Sequence, residues 1–261
     1  MLTFLRTGDW GPGDVDVAWV PGGRRIVPEV EALIDRAWQN ALARPGAHLF
    51  DGPMCRLERW DVSPDQRRLR LELSLTSYKP FFGTNMSHPA LADRYGPDVM
   101  ANPVGVSPAL ETADGFLLLG RRNASVAYYP NRVHPFAGAL EPRDGGDVFA
   151  AVRRELREEL SLDGTDVAEV RCTGLVWEAA LRQTEMIFRA RSTLSREQVV
   201  TRLDRQEHGS AYVIRATQEG VTSALTDAML TPVAIASLLL WGRSRFGDEW
   251  FTTHSIPHAG S

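Results

Sequence analysis

The chain has 261 residues, 43% of them hydrophobic and 24% charged, which is enough for one large globular domain or two small ones around a buried core. Its 33 acidic and 29 basic residues leave a formal charge of −4 and no basic stripe to neutralise a phosphate backbone, so nucleic acid is not expected as a partner. Cys55 and Cys172 lie far apart and outside any C-x-x-C spacing, which argues against a disulfide framework or a zinc site and for reduced thiols in a cytoplasmic protein.

Arg6, Asp9, Asp14 and Asp16 interrupt the stretch from Met1 to Trp19, so it does not read as a signal peptide. The apolar run Val233 to Trp241 is too short for a membrane anchor. Up to about Asn102 the pattern is mixed, with short strands around one amphipathic helix. That helix opens at Pro28, carries Val30, Leu33, Ile34, Ala37, Trp38 and Ala41 at helical spacing, and stops at Arg44-Pro45-Gly46. Cys55 and Leu57, then Leu69, Leu71, Leu73 and Leu75, alternate with charged residues on either side of Ser63-Pro64-Asp65, predicting a hairpin with one wet face.

Ser77 to Asn102 is rich in Pro, Gly, Asn and aromatics and predicts an ordered functional loop, with a module boundary inside it. Strands Val104 to Thr112 and Phe116 to Arg121 flank the turn Ala113-Asp114-Gly115, and Pro135 to Leu140 reads as another short strand. Asp147 caps a helix with Val148, Val152, Leu156 and Leu160 on one stripe, ending near Ser161. Strands follow at Ala168 to Trp177 and Thr184 to Ser192, then a helix behind the capping box Ser195-x-x-Gln198 and a strand from Ala211 to Ala216. Pro232 to Arg245 is the closing helix, and the tail from Gly247 reads as polar and frayed.

The helix behind Asp147 carries the chemistry. Glu155, Glu158 and Glu159 stand at i, i+3 and i+4, which brings three carboxylates to one face. Each like-charged pair costs a helix a few tenths of a kcal/mol, roughly, unless a cation sits between them. A hard divalent ion takes such oxygen ligands and keeps positions open for phosphate oxygens and an acidified water. The plainer alternative is a solvated acidic face paired with Arg153, Arg154 and Arg157.

The setting favours the first reading. Gly138 and Glu141-Pro142 end a short strand upstream, a tight loop follows, and Leu162 lies where the chain leaves the helix. With Arg154-Glu155-Leu156-Arg157-Glu158-Glu159-Leu160-Ser161-Leu162, this resembles the nudix box, G-x5-E-x7-R-E-U-x-E-E-x-G-U with U aliphatic. Counting back from Arg154 puts Gly146 where the box has its first glutamate, the loop from Gly138 is two residues longer than standard, and Ser161 stands for the last glycine.

The resemblance implies an α/β/α nudix sandwich with a mixed sheet and a metal site of Glu155, Glu158 and Glu159 for Mg²⁺, with Mn²⁺ as an alternative. It also implies Glu155 as a catalytic residue and Gly138 and Arg154 as braces of the helix. Residues 1–102 would then be an N-terminal α+β extension contributing to the nucleotide site, 103–246 the nudix domain and 247–261 a tail.

Further pieces are similar to the nudix branch acting on UDP-glucose and UDP-galactose: Leu75 to Asn85, Ala101 to Val106, Thr112 to Phe116 with Arg121-Arg122, Glu207 to Ser210, and Thr231-Pro232. That similarity implies hydrolysis of a nucleoside diphosphate sugar, UDP-hexose, to UMP and hexose 1-phosphate. The rivals are a nudix hydrolase of ADP-ribose or a dinucleotide, and a nudix-like binding module without turnover, which Gly146 would support.

Under this reading Thr84 and Asn85 read the uracil edge or the diphosphate, unless they only shape a turn, and Tyr78, with Phe81 and Phe82, stacks on the base or fills the core. Arg122 clamps phosphate or forms a surface ion pair. Glu207 is the further carboxylate at the metal cluster, as ligand or general base, or else an exposed loop residue. His134 and His208, lacking paired spacing, are taken as ordinary polar residues, and Glu178 and Glu185 either reach substrate or are solvated hairpin charges.

Overall fold

The computed structural model describes residues 2–44, 46 and 49–255. β1 (Leu2–Trp10) and β2 (Val15–Trp19) precede α1 (Pro28–Leu42), which opens on Pro28 as its sequence predicts and buries Val30, Ile34, Trp38 and Ala41. Pro45, expected to help stop this helix, lies outside the described residues. β3 (Pro53–Val62) and β4 (Leu69–Ser77) form the expected antiparallel hairpin, and β2 joins β4 in parallel to complete a small sheet ordered β2-β4-β3. Leu69, Leu71 and Leu73 are buried, whereas Leu75 is exposed beyond the last β2 pair, at Leu73.

From Ser77 the chain is more helical than its Pro and Gly content predicts. It passes through α2 (Tyr78–Phe81), a wider π turn at Phe82–Met86, α3 (Leu91–Tyr95) and a 3-10 turn at Pro97–Val99. The π turn lies flat on α1: a Cβ on Gly83 would stand 2.7 Å from the Ile34 Cα, so only glycine permits this approach.

The large sheet begins with β5 (Val104–Glu111) and β6 (Phe116–Arg122). These two pair only at Leu110–Leu118 and Glu111–Leu117 and then separate. Instead of the single strand expected at Pro135 to Leu140, two short pieces sit in the gap: β7 (Val133–His134) on β6 and β8 (Gly138–Ala139) on β5. A split between neighbouring strands is a common place for a ligand, because backbone ends and side chains of both sides converge there.

After α4 (Val148–Leu160) come β9 (Val167–Glu178), β10 (Gln183–Ser192), α5 (Arg196–Val200), β11 (His208–Arg215), α6 (Gln218–Ala224) and α7 (Pro232–Phe246). The sheet order is β1-β9-β10-β5-β6-β11, with β10 and β5 parallel and the other pairs antiparallel. β1 therefore lies in the large sheet, so residues 2–10 join strands that the sequence division places after residue 102.

Helices cover both faces, giving the α/β/α sandwich. Leu156 and Leu160 of α4 share one core with Val106, Met186 and Phe188 and with Leu69, Leu71 and Leu73 of the small sheet. On the other face Val233, Ala236 and Leu240 of α7 pack on Val176 and Ile187. The expected frayed tail is instead α8 (Asp248–Ser255), anchored by buried Trp250, whose ring lies where a Cβ on Gly242 would be. Residues 256–261 of that tail lie outside the described residues. Among the described residues no helix is long and apolar enough to cross a membrane.

Candidate active site

Asp147 caps α4 by accepting from the Phe149 and Ala150 amides at 2.9 and 3.1 Å. The stripe Val148, Val152, Leu156 and Leu160 is buried on the sheet, which turns the neighbouring positions Glu155 and Glu159 toward the split between β5 and β6. Gly138 makes room: a Cβ there would stand 2.1 Å from the Glu155 Oε1. At the other end Ser161, standing for the motif's glycine, keeps the left-handed conformation with φ 52°.

Arg154 ties this helix to its loop. Its guanidinium donates to both Asp144 carboxylate oxygens at 2.9 and 3.0 Å, to the Ala139 carbonyl at 2.9 Å and to Glu155 at 2.5 Å. Asp144 also closes a capping box with Glu141 over the turn Pro142–Asp144. The brace is thus Asp144, which counting back from Arg154 misses. Counting forward from Gly138 over the motif's five-residue gap arrives at Asp144, so the two extra residues lie after the brace, at Gly145-Gly146. Gly146 itself, at φ +86°, packs against Val17.

The three helix carboxylates expected to hold a metal are not equally placed. Glu158 is half-exposed and faces Arg143 and Arg154, each at 3.3 Å. The buried Glu159 meets His208, the first residue of β11, and Glu207 just before it: oxygen or nitrogen ligand atoms of the three all lie within 4.8 Å of one another. His208, taken from sequence as an ordinary polar residue, is fully buried, with Nε2 at 2.5 Å from Glu159, and it sits where Gly120 leaves space for the ring. A contact between positions 49 apart leaves no local signal in sequence.

Burial pushes the Glu155 carboxyl up to about 7 despite Arg154 alongside. Burial first, then the charges of Glu207 and Glu155, push Glu159 well above the usual carboxylate range. Burial and the Arg122 charge lower His208 to about 4, and its Nε2 shares a hydrogen bond with Glu159. Buried, mutually repelling carboxyls around one point form a donor set that suits a divalent cation, whose charge would restore their ionised forms.

Beside this cluster is a cavity of about 360 Å³, to which Glu207 and Arg122 contribute at one side and Tyr78, Phe81, Gln183 and Glu185 elsewhere. Arg122 is buried, bonds Glu207 at 2.8 Å and donates to the Tyr128 carbonyl at 2.9 Å. Tyr78 lines the cavity and stands edge-on to Trp38.

Thr84 and Asn85 do not line it. Both are fully buried: Asn85 donates to the Leu181 and Arg182 carbonyls at 2.8 and 3.1 Å and accepts from the Ala101 amide at 3.1 Å, while the Thr84 hydroxyl donates to the Pro80 carbonyl at 2.6 Å. Their polar groups are committed to main chain, which corrects the expectation that they touch substrate. His134, fully inside, bonds Thr231 at 2.8 Å. Glu178 and Glu185 are buried and not solvated: Glu178 accepts from the Tyr128 and Tyr129 hydroxyls, and Glu185 from Ser107 at 3.0 Å.

No protein-family model matches the chain. It is 29% identical over 256 residues to the human uridine diphosphate glucose pyrophosphatase NUDT22, covering 84% of each chain. It is 30% identical over 206 residues to the bovine protein of that name, covering 67% of this chain and 70% of the relative. Among solved structures it is similar to the nudix domain of Shewanella oneidensis NrtR complexed with ADP-ribose, at a TM-score of 0.41 and 14% identity, over 62% of this chain and 99% of that one.

Proposed function

The chain belongs to the nudix hydrolase family, with the uridine diphosphate glucose pyrophosphatases as its relatives, and from that premise we propose that it hydrolyses UDP-glucose or UDP-galactose to UMP and hexose 1-phosphate. The observation that carries the reading is the meeting of Glu159, Glu207 and His208 beside a cavity that Arg122 also lines. Water adds to one phosphorus, the bridging P–O bond breaks, and the bridging oxygen leaves with the other phosphate.

The chain's own groups have distinct parts in this. Glu159 and Glu207, with Glu155 next to them, would hold a divalent cation, which supplies charge neutralisation and an acidified water when bound. The oxygen donors suit Mg²⁺, and Mn²⁺ takes the same ligands. Arg122, whose Nε and one terminal nitrogen already bond Tyr128 and Glu207, holds a diphosphate oxygen through its remaining N–H donors. Glu207 takes the proton of the attacking water, a reading supported by its being the member of the cluster that lines the cavity. Arg154 and Asp144 keep the helix carboxylates in position. With Asp144 as brace, Gly146 no longer favours a module without turnover.

Phosphate-product analysis over a panel of nucleoside diphosphate sugars, ADP-ribose included, with Mg²⁺, Mn²⁺ and excess EDTA tests this. UMP and hexose 1-phosphate from UDP-hexoses, lost in EDTA, are expected. Preference for ADP-ribose would overturn the substrate, and full turnover in EDTA the metal site.

A further inference from the structure

Gln183 is the first residue of β10, directly across from Glu178, and it is 6% exposed yet lines the cavity. Among the described residues its carboxamide has no hydrogen-bond partner, and its polar atoms are not among the sealed, unsatisfied ones, so they open on the cavity. An amide that opens on a cavity and spends no hydrogen bond on its protein surroundings is wetted there and free to meet a ligand. Here the open direction is the cavity, so the partner is a ligand or the water it displaces.

The surroundings say which part of a nucleotide sugar this amide meets. Leu181, two residues before Gln183, packs with Met54, Phe81 and Ala101, and Tyr78 and Tyr128 adjoin the same cluster. The aromatic and apolar walls next to Gln183 suit a nucleobase, while Arg122, Glu141 and Glu207 supply the charged part of the lining. Glu185, on the same face of β10 as Gln183, is already engaged by the Ser107 hydroxyl. The turn carrying Gln183 is held from behind: Asn85 clamps the Leu181 and Arg182 carbonyls, and Arg182 takes φ 49°. A reader of base edges works only if held still, and this clamp holds it.

We propose that Gln183 reads the nucleobase, its carboxamide pairing with the imide edge of uracil, where N3–H donates to the amide oxygen and a ring carbonyl accepts from the amide nitrogen. This deepens the reading of the chain as a UDP-hexose hydrolase and rests on it. The amide offers donor and acceptor side by side, and half a turn exchanges them, so the contact demands a base with adjacent donor and acceptor and fails when N3 is blocked.

The test is steady-state kinetics of the wild type and of Gln183→Met, a side chain of similar volume without the amide, on UDP-glucose and on its N3-methyl analogue. The wild type should cleave the N3-methyl compound with kcat/KM about tenfold lower or worse, as when a site built for a hydrogen bond meets an analogue lacking it. Gln183→Met should lose a similar factor on UDP-glucose, mostly in KM, and treat the two substrates alike. Equal efficiency of the wild type on both compounds overturns the proposal without any variant being needed. Undiminished discrimination by a folded Gln183→Met overturns it as well. Failure of the wild type to cleave UDP-glucose at all, with ADP-glucose or ADP-ribose cleaved instead, overturns the functional reading and this proposal together, whereas cleavage without an N3 effect removes this proposal alone.

Discussion

Two groups of buried carboxyls lie by one cavity, which Glu207 lines beside the first and Glu185 lines from the second, and they are held by opposite means. Around α4, Glu155 and Glu159 lie among charged groups, Arg154 on Glu155, Glu207 near Glu159 and Arg122 behind Glu207, with the His208 imidazole hydrogen-bonded to Glu159. At the β9–β10 hairpin, Glu178 and Glu185 meet hydroxyls, from Tyr128, Tyr129 and Ser107, and neither forms an ion pair with Arg or Lys among the described residues. Both sites raise carboxyl pKa values by burial. The first converges several oxygens on one point, where a cation can repay the desolvation, while the second leaves a proton as the cheapest neutraliser. Burial of acids alone therefore does not make a metal site; convergence does.

Removing the cation should separate the two most sharply. Excess EDTA is expected to abolish turnover, and Glu159→Gln to lower kcat at least about a hundredfold on every nucleotide sugar, as when charge next to a phosphoryl centre is lost. Glu185→Gln should retain the divalent-metal requirement. Wild-type rates from Glu159→Gln would reduce the α4 face to structure.

Breaking the brace comes next. Asp144→Ala takes the bidentate partner from a guanidinium whose side chain is 6% exposed, and should cost about 3 kcal/mol of unfolding free energy, the scale for a half-deleted buried pair. Urea denaturation measures it, and a change under about 0.5 kcal/mol, the usual range for surface substitutions, would show that Arg154 holds without Asp144.

Asn85→Ala should act on the hairpin side. It strips partners from the Leu181 and Arg182 carbonyls and the Ala101 amide, for about 1–3 kcal/mol of stability, and should raise KM for UDP-glucose by loosening the turn that carries Gln183. A raised KM with no loss of stability in urea would instead mean that Asn85 touches the nucleotide.

The same contrast explains what could be read in the sequence. The α4 face was legible because helical period dictates which positions share a side, and the stripe from Val148 to Leu160 fixes its phase. The Asp144 brace was legible too, but only on counting forward from Gly138. Thr84 and Asn85 were not: composition predicts a turn, but the direction of its side chains depends on Gly83 lying against Ile34 in α1, a contact some fifty positions away. Nor does any local pattern bring His208 to Glu159 or bury the hairpin acids Glu178 and Glu185, since each depends on strand register across the large sheet. α8 hid behind its polar composition, because only the adjacent Trp250 and Phe251 anchor it.

The smallest expected effect is the most specific to the hairpin acids. Burial, with Glu178 nearby, pushes the Glu185 carboxyl up to about 8, while in the unfolded chain it titrates near the ordinary value of about 4.3. Between those two pH values the unfolded state has released its proton and the native state still holds it. Native stability from this group therefore falls as pH rises through the window and is unaffected below it. Glu185→Gln, neutral at every pH, should be spared that fall, so its stability relative to wild type should improve by about 1 kcal/mol between pH 6 and pH 7. Urea midpoints of the two proteins across this range measure the difference of slopes, which cancels any constant effect of the substitution itself. A difference independent of pH would mean that Glu185 is already ionised in the native protein, and the hairpin pair would then need a cation of its own, as the α4 pair does.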